Sequence, residues 1–256
     1  RDLPWRRTKD PYHIWVSEIM LQQTRVEAVK PYYERFLKTL PTIQDLAEAE
    51  EETILKLWEG LGYYSRVRNM QKAAIQVMEE YNGIFPDEHQ KILKLKGIGP
   101  YTAGAVGSIA FDLPIPAVDG NVLRVMSRLT ADPTDISLQT TKKEWENRLS
   151  EIIPPQEPGN MNQALMELGA TVCLPNGAPK CEICPVRKFC EAYRRNSVLL
   201  YPVKAEKKAR TIEYLNVFFC TDGEKIAITK RPEKGLLSRL WELPNADREK
   251  SIPAFL

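Results

Sequence analysis

The sequence of 256 residues predicts a mainly α fold, followed by the beginning of a smaller α+β or β unit. Three observations carry that reading. Almost everything before Val172 repeats its apolar residues with helical rather than alternating period. Residues 95–121, LKGIGPYTAGAVGSIAFDLPIPAVDGN, read as two short helices joined at Gly97-Ile98-Gly99, then a proline-bounded loop that delivers Asp119 to the start of another helix. Beyond Arg210 the texture changes to β-branched and aromatic residues.

In chain order, residues 1–7, RDLPWRR, set Leu3, Pro4 and Trp5 among arginines in a segment not expected to be helical. It is either a flap on the core or one wall of an aromatic pocket. Residues 13–24 predict a helix with Ile14, Glu18 and Leu21 on one line. Helical patterns follow over 31–40, 51–60 and 65–81, and again over 144–153 and 160–172 after the glycine hairpin. Residues 201–212 read as a basic linker that starts at a proline. Residues 211–221 and 225–230 predict strands, with Thr221-Asp222-Gly223-Glu224 as the hairpin turn between them. That last unit, residues 213–256, stops too soon to bury a core and is expected to be incomplete.

Composition limits the function classes. Hydrophobic residues make up 43% of the chain, and no apolar run approaches the roughly 20 residues of a membrane helix, so no membrane partner is expected. The chain opens on Arg1 without an apolar leader, as a fragment would, and a place inside the cell is expected. Net charge is only +2, but residues 180–210 carry nine Lys or Arg against three Glu, and residues 45–59 carry six acids against one Lys. A basic flank on a near-neutral protein is compatible with duplex binding or with a solvated charge run.

Several constellations carry chemistry. Amides freed at the Gly97–Gly99 turn and the following helix start can face a phosphate oxygen, as a helix-hairpin-helix does when it grips a nucleic-acid backbone without reading sequence. An ordinary helical hairpin is the alternative. Glu18, among apolar neighbours, is either a buried acid that can donate a proton near neutral pH or a surface acid at a helix edge. Residues 60–66, GLGYYSR, can wedge into a base stack and hold phosphate through Arg66, or form a packed helix corner. Four cysteines crowd into eighteen residues as Cys173-x7-Cys181-x2-Cys184-x5-Cys190. In a chain without secretory features they point to a metal centre rather than disulfides, and one compact loop favours a 4Fe–4S cluster over structural zinc. Cys220, in an apolar run, is expected to be core.

The motifs SEIMLQQTRV, GLGYYSRVRN, LKGIGPYTAGAV, PAVDGNVLRV, NQALMELGATVC and the cysteine loop together resemble the helix-hairpin-helix DNA glycosylases that carry an iron-sulfur cluster, and within them the adenine DNA glycosylases of the MutY type. The resemblance covers residues 1–200. The piece with GLLSRLWELPNA is similar to the start of the Nudix-like domain with which such enzymes check the opposite base. It implies a two-lobed helix-hairpin-helix glycosylase fold, with the hairpin at about 87–111, the cluster loop at 173–190 and an incomplete Nudix-like domain after it. It implies a monomer that removes adenine mispaired with 8-oxoguanine from double-stranded DNA by cleaving the N-glycosidic bond of a flipped nucleotide.

By the same resemblance, Glu18 protonates the adenine ring, and Asp119 stabilises the cationic sugar or adds to it; as a helix N-cap Asp119 can serve both ends. Tyr101 stands where bifunctional relatives of the endonuclease III type carry a Schiff-base lysine, which implies a monofunctional enzyme. Asn121 helps to hold the catalytic groups. Arg1, Leu3, Trp5, Arg6 and Gln163 line the adenine pocket, while Gln22, Gln23, Thr24, Leu61 and Tyr63 wedge the duplex. Two departures stand out. The first cysteine gap holds seven residues where the family usually has six. The Phe-Ser-His-type loop that recognises 8-oxoguanine is missing, so that preference is expected to be weaker. The rival readings are a bifunctional glycosylase acting on damaged pyrimidines and an inert iron-sulfur DNA-binding module.

Overall fold

The computed structural model describes residues 1–205, 212–233, 235, 237 and 240–247. It divides into two compact units, Arg1–Ala205 and Glu206–Leu256. Among the described residues no helix is long and apolar enough to cross a membrane.

The first unit is helical throughout. Its helices are α1 (Pro11–Leu21), α2 (Val26–Thr39), α3 (Ile43–Glu48), α4 (Glu51–Trp58), α5 (Ser65–Tyr81), α6 (His89–Lys94), α7 (Pro100–Ala110), α8 (Gly120–Thr130), α9 (Gln139–Ile152), α10 (Pro158–Thr171) and the single turn α11 (Glu191–Arg194). Local chemistry sets the starts. Asp10 caps α1 by accepting from the amides of Tyr12 and His13, with Pro11 in the first position. Thr42 and Asp45 form a reciprocal capping box on α3. Two apolar cores result. The larger joins α1 to α7 around Trp15, Phe36, Trp58 and Met70; the smaller joins α8 and α9 through Val122, Met126, Trp145 and Leu149, with Met166 of α10 against it. Helix α7, whose residues from Thr102 to Ser108 are all buried, lies between its neighbours and packs on α1, α6 and α10.

Three expectations shift. Residues Pro4–Arg6 form one turn of 3-10 helix rather than a non-helical strip, because Pro4 starts it and the Arg6 amide closes on Leu3 O at 2.9 Å. Helix α2 begins at Val26, five residues before Pro31, which sits inside the helix on an exposed face. The basic segment from residue 201 is not free over its first part. Arg128 Nε donates to Tyr201 O at 2.9 Å, Ile136 N to Val203 O at 3.1 Å and Ala205 N to Asp135 Oδ2 at 2.9 Å.

The second unit consists of short antiparallel pairings. Strand β1 (Leu215–Val217) pairs with β4 (Asn245–Asp247), with Asn216 opposite Ala246, and β2 (Thr229–Lys230) pairs with β3 (Trp241–Glu242). The turn at Thr221 is present: Thr221 bridges Ile226, and Asp222 Oδ1 accepts from the amides of Glu224 and Lys225. No described residue of this unit is fully buried. Cys220, expected in a core, is half-buried. Lys234, Leu236, Ser238, Arg239, residues 206–211 and residues 248–256 lie outside the described residues, and with them part of the linker and of the Nudix-like motif.

Candidate active site

Five helices of the first unit, α1, α2, α7, α8 and α10, and the turn Pro4–Arg6 converge on a pocket of about 200 Å³. Its wall includes Arg1, Leu3, Trp5, Arg6, Glu18, Tyr101, Asp119, Asn121 and Gln163, all proposed from sequence for catalysis or base binding, and Thr24, proposed for duplex contact. Glu18 projects from α1 and is only 6% exposed. Tyr101, in the first turn of α7, donates from Oη to Glu18 Oε2 at 2.7 Å and lies 3.2 Å from Met166 Sδ. Burial pushes the Glu18 carboxyl up to about 7, and the charge of Asp119 adds to this, while the tyrosine hydrogen bond and the charge of Arg6 oppose it. Glu18 thus holds a proton near neutral pH. Burial first, then the neighbouring carboxylates, pushes the Tyr101 phenol well above its ordinary value, so it stays a donor.

Asp119 caps α8. Its Oδ1 accepts from the amides of Asn121 at 2.9 Å and Val122 at 2.8 Å, and its Oδ2 accepts from Asn121 Nδ2 at 2.7 Å. Acceptance of these three hydrogen bonds at the helix start fixes the side chain in the pocket. Two residues that sequence reasoning missed hold this arrangement. Buried Asn162 of α10 accepts from Ala117 N at 3.0 Å and donates to Ser108 Oγ and Ile115 O, both at 2.8 Å, so it pins the loop that leads to Asp119. Arg124 donates to Asn121 Oδ1 at 2.9 Å, Gly169 O at 2.7 Å and Cys173 O at 2.8 Å. Gly169 is required at its position, since a Cβ there would lie 2.6 Å from Asn121 Cβ.

The N-terminal strip is tied down by a third missed residue. Glu167 of α10 accepts from Arg1 Nε at 2.5 Å, from Arg1 Nη2 at 2.9 Å and from Arg6 Nη2 at 2.8 Å. Burial raises its carboxyl, but hydrogen bonds and charge from the two arginines outweigh this and hold it down at about 2. Trp5 packs edge-on against Tyr33 with ring centroids 5.4 Å apart. The sequence signal for Glu167 was its place one helical turn after Gln163, on the pocket face of α10.

The residues expected to meet the duplex separate into two groups. Gln23 and Tyr63 hold left-handed backbone, φ +59° and +48°, and Tyr63 is 65% exposed. Gln22 is half-buried beside them. Leu61 and Arg66, by contrast, face inward. Leu61 belongs to the larger core. Arg66 Nη1 donates to Ile19 O at 2.8 Å and Gln22 O at 2.6 Å, and Nη2 to Leu61 O at 3.1 Å and Gly62 O at 3.2 Å. The guanidinium, expected on a phosphate, instead ties both tips to α5. At the hairpin Gly97 has φ +78°, and a Cβ would meet Asn69 Cβ at 2.7 Å. Gly99 has an ordinary φ of −102° with open space around it, so it is not needed for the turn; it leaves the amide end of α7 uncovered.

The sequence model of the HhH-GPD superfamily base excision DNA repair proteins matches residues 16–155. An adenine DNA glycosylase of Buchnera aphidicola subsp. Baizongia pistaciae is 38% identical over 100% of this chain and 72% of its own length. The chain belongs to the adenine DNA glycosylase family. A member from Arabidopsis thaliana is 39% identical over 96% of this chain, which spans 45% of that relative's length. Among solved structures, a thermostable thymine-DNA glycosylase is similar with a TM-score of 0.69 and 32% identity, over 76% of this chain and 89% of that one. The helical unit therefore has the HhH-GPD fold, as the motifs implied.

In this adenine DNA glycosylase family member the four loop cysteines, Cys173, Cys181, Cys184 and Cys190, line one small pocket with Val172, Pro179 and Val198. Among the described residues no three metal-binding side chains converge to hold a single ion. The four sulfurs surround a space instead. Arg128 lies on this wall, donating from Nη1 to Cys173 Sγ at 3.3 Å. Burial and then the charge of the other three cysteines raise the Cys181 thiol. Four soft donors around a common space, with a guanidinium beside them, fit a polynuclear iron-sulfur group better than a mononuclear ion.

Proposed function

We propose that this chain is a monofunctional glycosylase that excises adenine mispaired with 8-oxoguanine or guanine in double-stranded DNA. The observation that carries the reading is the pairing of two unlike carboxyls on one pocket: Glu18, buried and holding a proton, and Asp119, held by three hydrogen bonds at the head of α8. Glu18 delivers its proton to a ring nitrogen of the flipped adenine. The glycosidic electron pair then leaves with the base. Asp119 stabilises the cationic sugar, or adds to it until water takes its place. Arg6, Trp5 and Gln163 hold the base against the far wall. Tyr101 orients Glu18 and offers no amine for imine formation, which supports base release without strand cleavage. The opposite 8-oxoguanine rests on the resemblance to the family.

A single-turnover assay on a labelled duplex with adenine opposite 8-oxoguanine tests the reading. Strand breaks are expected only after alkali; breaks without alkali would establish lyase action. Asp119→Asn, which keeps a good cap, is expected to abolish base release while duplex binding survives, and full activity in that variant would sink the mechanism. Cys173, Cys181, Cys184 and Cys190 are proposed to hold a 4Fe–4S cluster that staples the loop after α10. The purified protein is expected to be yellow-brown, with iron and acid-labile sulfide; zinc without sulfide would overturn the assignment.

A further inference from the structure

Glu167 lies outside the set of residues assigned to the reaction, yet it is the acid that faces both arginines of the pocket strip. Arg6 shares the pocket wall with Glu18, and among the described residues it is the cation whose charge favours loss of the Glu18 proton. Its guanidinium is at the same time bound to Glu167 Oε2 at 2.8 Å and braced on Arg1 O at 3.2 Å. Both partners are sheltered, with side chains 24% and 21% exposed, so water screens the pair only in part. We propose that Glu167 is a positioning residue that neutralises Arg6, so that an arginine can line the base pocket without stripping the proton from the general acid. The proposal rests on the reading of Glu18 as that acid.

The other groups that face Glu18 are accounted for. Tyr101 of α7 donates to it, and Asp119 at the head of α8 adds negative charge. Arg1 also donates to Glu167, and the charge of Glu27 of α2 acts on it as well. Arg66 of α5 is taken up by the carbonyls of Ile19, Met20 and Gln22 at the C-terminal end of α1 and does not line the pocket. Glu167 thus pairs with both arginines of the pocket wall, and of the two it is Arg6 whose charge acts on Glu18. A pocket arginine offers a purine edge a planar fork of hydrogen-bond donors that is always charged. Its cost is the charge beside a carboxyl that must stay neutral, and Glu167 removes that cost.

The test compares the full chain with Glu167→Gln and with Glu167→Gln/Arg6→Gln. Single-turnover adenine release is followed from pH 5.5 to pH 9, and the 13C-labelled carboxyl of Glu18, identified by its loss in Glu18→Gln, is titrated by NMR in the same proteins. In Glu167→Gln the alkaline limb of the rate and the Glu18 midpoint are both expected to move to lower pH. A displacement of one pH unit is about a tenfold loss of rate at pH 8.5, while the rates approach each other at pH 5.5. In the double variant the midpoint is expected to return toward that of the wild type, although loss of Arg6 lowers the rate at every pH. A Glu18 midpoint that does not move in Glu167→Gln, or that does not return in the double variant, would overturn the proposal. The NMR titration reads this even if the wild type releases no adenine, an outcome that would defeat the assigned reaction and leave the charge coupling to be judged by the midpoints alone.

Discussion

A carboxylic acid buried on a helix among Trp15, Val16 and Ile19 is an expensive residue to ionise, and Glu18 shows that expense in its proton affinity. Its carboxyl titrates at about 7 in the folded chain against an ordinary 4.5. The stability that its protonated form confers is complete below pH 4.5 and is lost as pH rises through 7. Glu18→Gln keeps the shape without the charge. It is therefore expected to equal the wild type near pH 4 and to exceed it by roughly 3 kcal/mol at pH 8 in denaturant melts, while adenine release falls to background. Tyr101→Phe moves the same group the other way. Losing the 2.7 Å hydrogen bond that favours the carboxylate should raise the Glu18 midpoint and carry the alkaline limb of the rate to higher pH. Both variants leave Asp119 capped, so a change in duplex affinity is not expected from either.

At the scale of the element, the start of α8 is where folding and chemistry use the same atoms. Asp119 begins the helix and faces the pocket, and Gly169 of α10 lets the two helices close around Asn121. Gly169→Ala places a methyl group where only hydrogen fits. We expect a loss of about 1–3 kcal/mol in a thermal or denaturant melt and a larger proportional loss of base release, because Asn121 and then Asp119 are pushed from position. The helices themselves were largely legible. The pattern over 65–81 coincides with α5, where Val67, Met70, Ala74 and Val77 keep helical spacing over many turns. Helix α3 was not legible, since six residues hold too little period and only the Thr42–Asp45 box marks it. The onset of α2 was hidden by Pro31, whose usual meaning is a boundary. Within the pocket, Glu18, Tyr101 and Asp119 were legible because motif and chemistry agree on them. Glu167, Asn162 and Arg124 were not: each is a polar residue inside a helix, and its partners come from segments that only the tertiary fold brings near.

For the molecule as a whole, the pocket, the hairpin and the cysteine loop all belong to the unit Arg1–Ala205. A chain ended at Ala205 is expected to fold and to retain release of adenine opposite guanine in a single-turnover assay, since the described side chains that line the pocket all lie before that point. The second unit was legible in texture, in its strands and its Asp222-Gly223 turn, but β-branched residues alone do not say what covers them. The inward turn of Arg66 bears on how such a protein responds to ionic strength. A cation that meets a phosphate displaces a condensed counterion, and its removal lowers the slope of log K against log salt by about one. Arg66 meets five backbone carbonyls of its own chain. Arg66→Met should therefore weaken duplex binding by loosening the tips at Gln22 and Tyr63 and leave the salt slope where it was, whereas Lys96→Met, at an exposed lysine beside the hairpin turn, should flatten it. One arginine of this fold is thus expected to shape duplex binding without belonging to the ionic part of it.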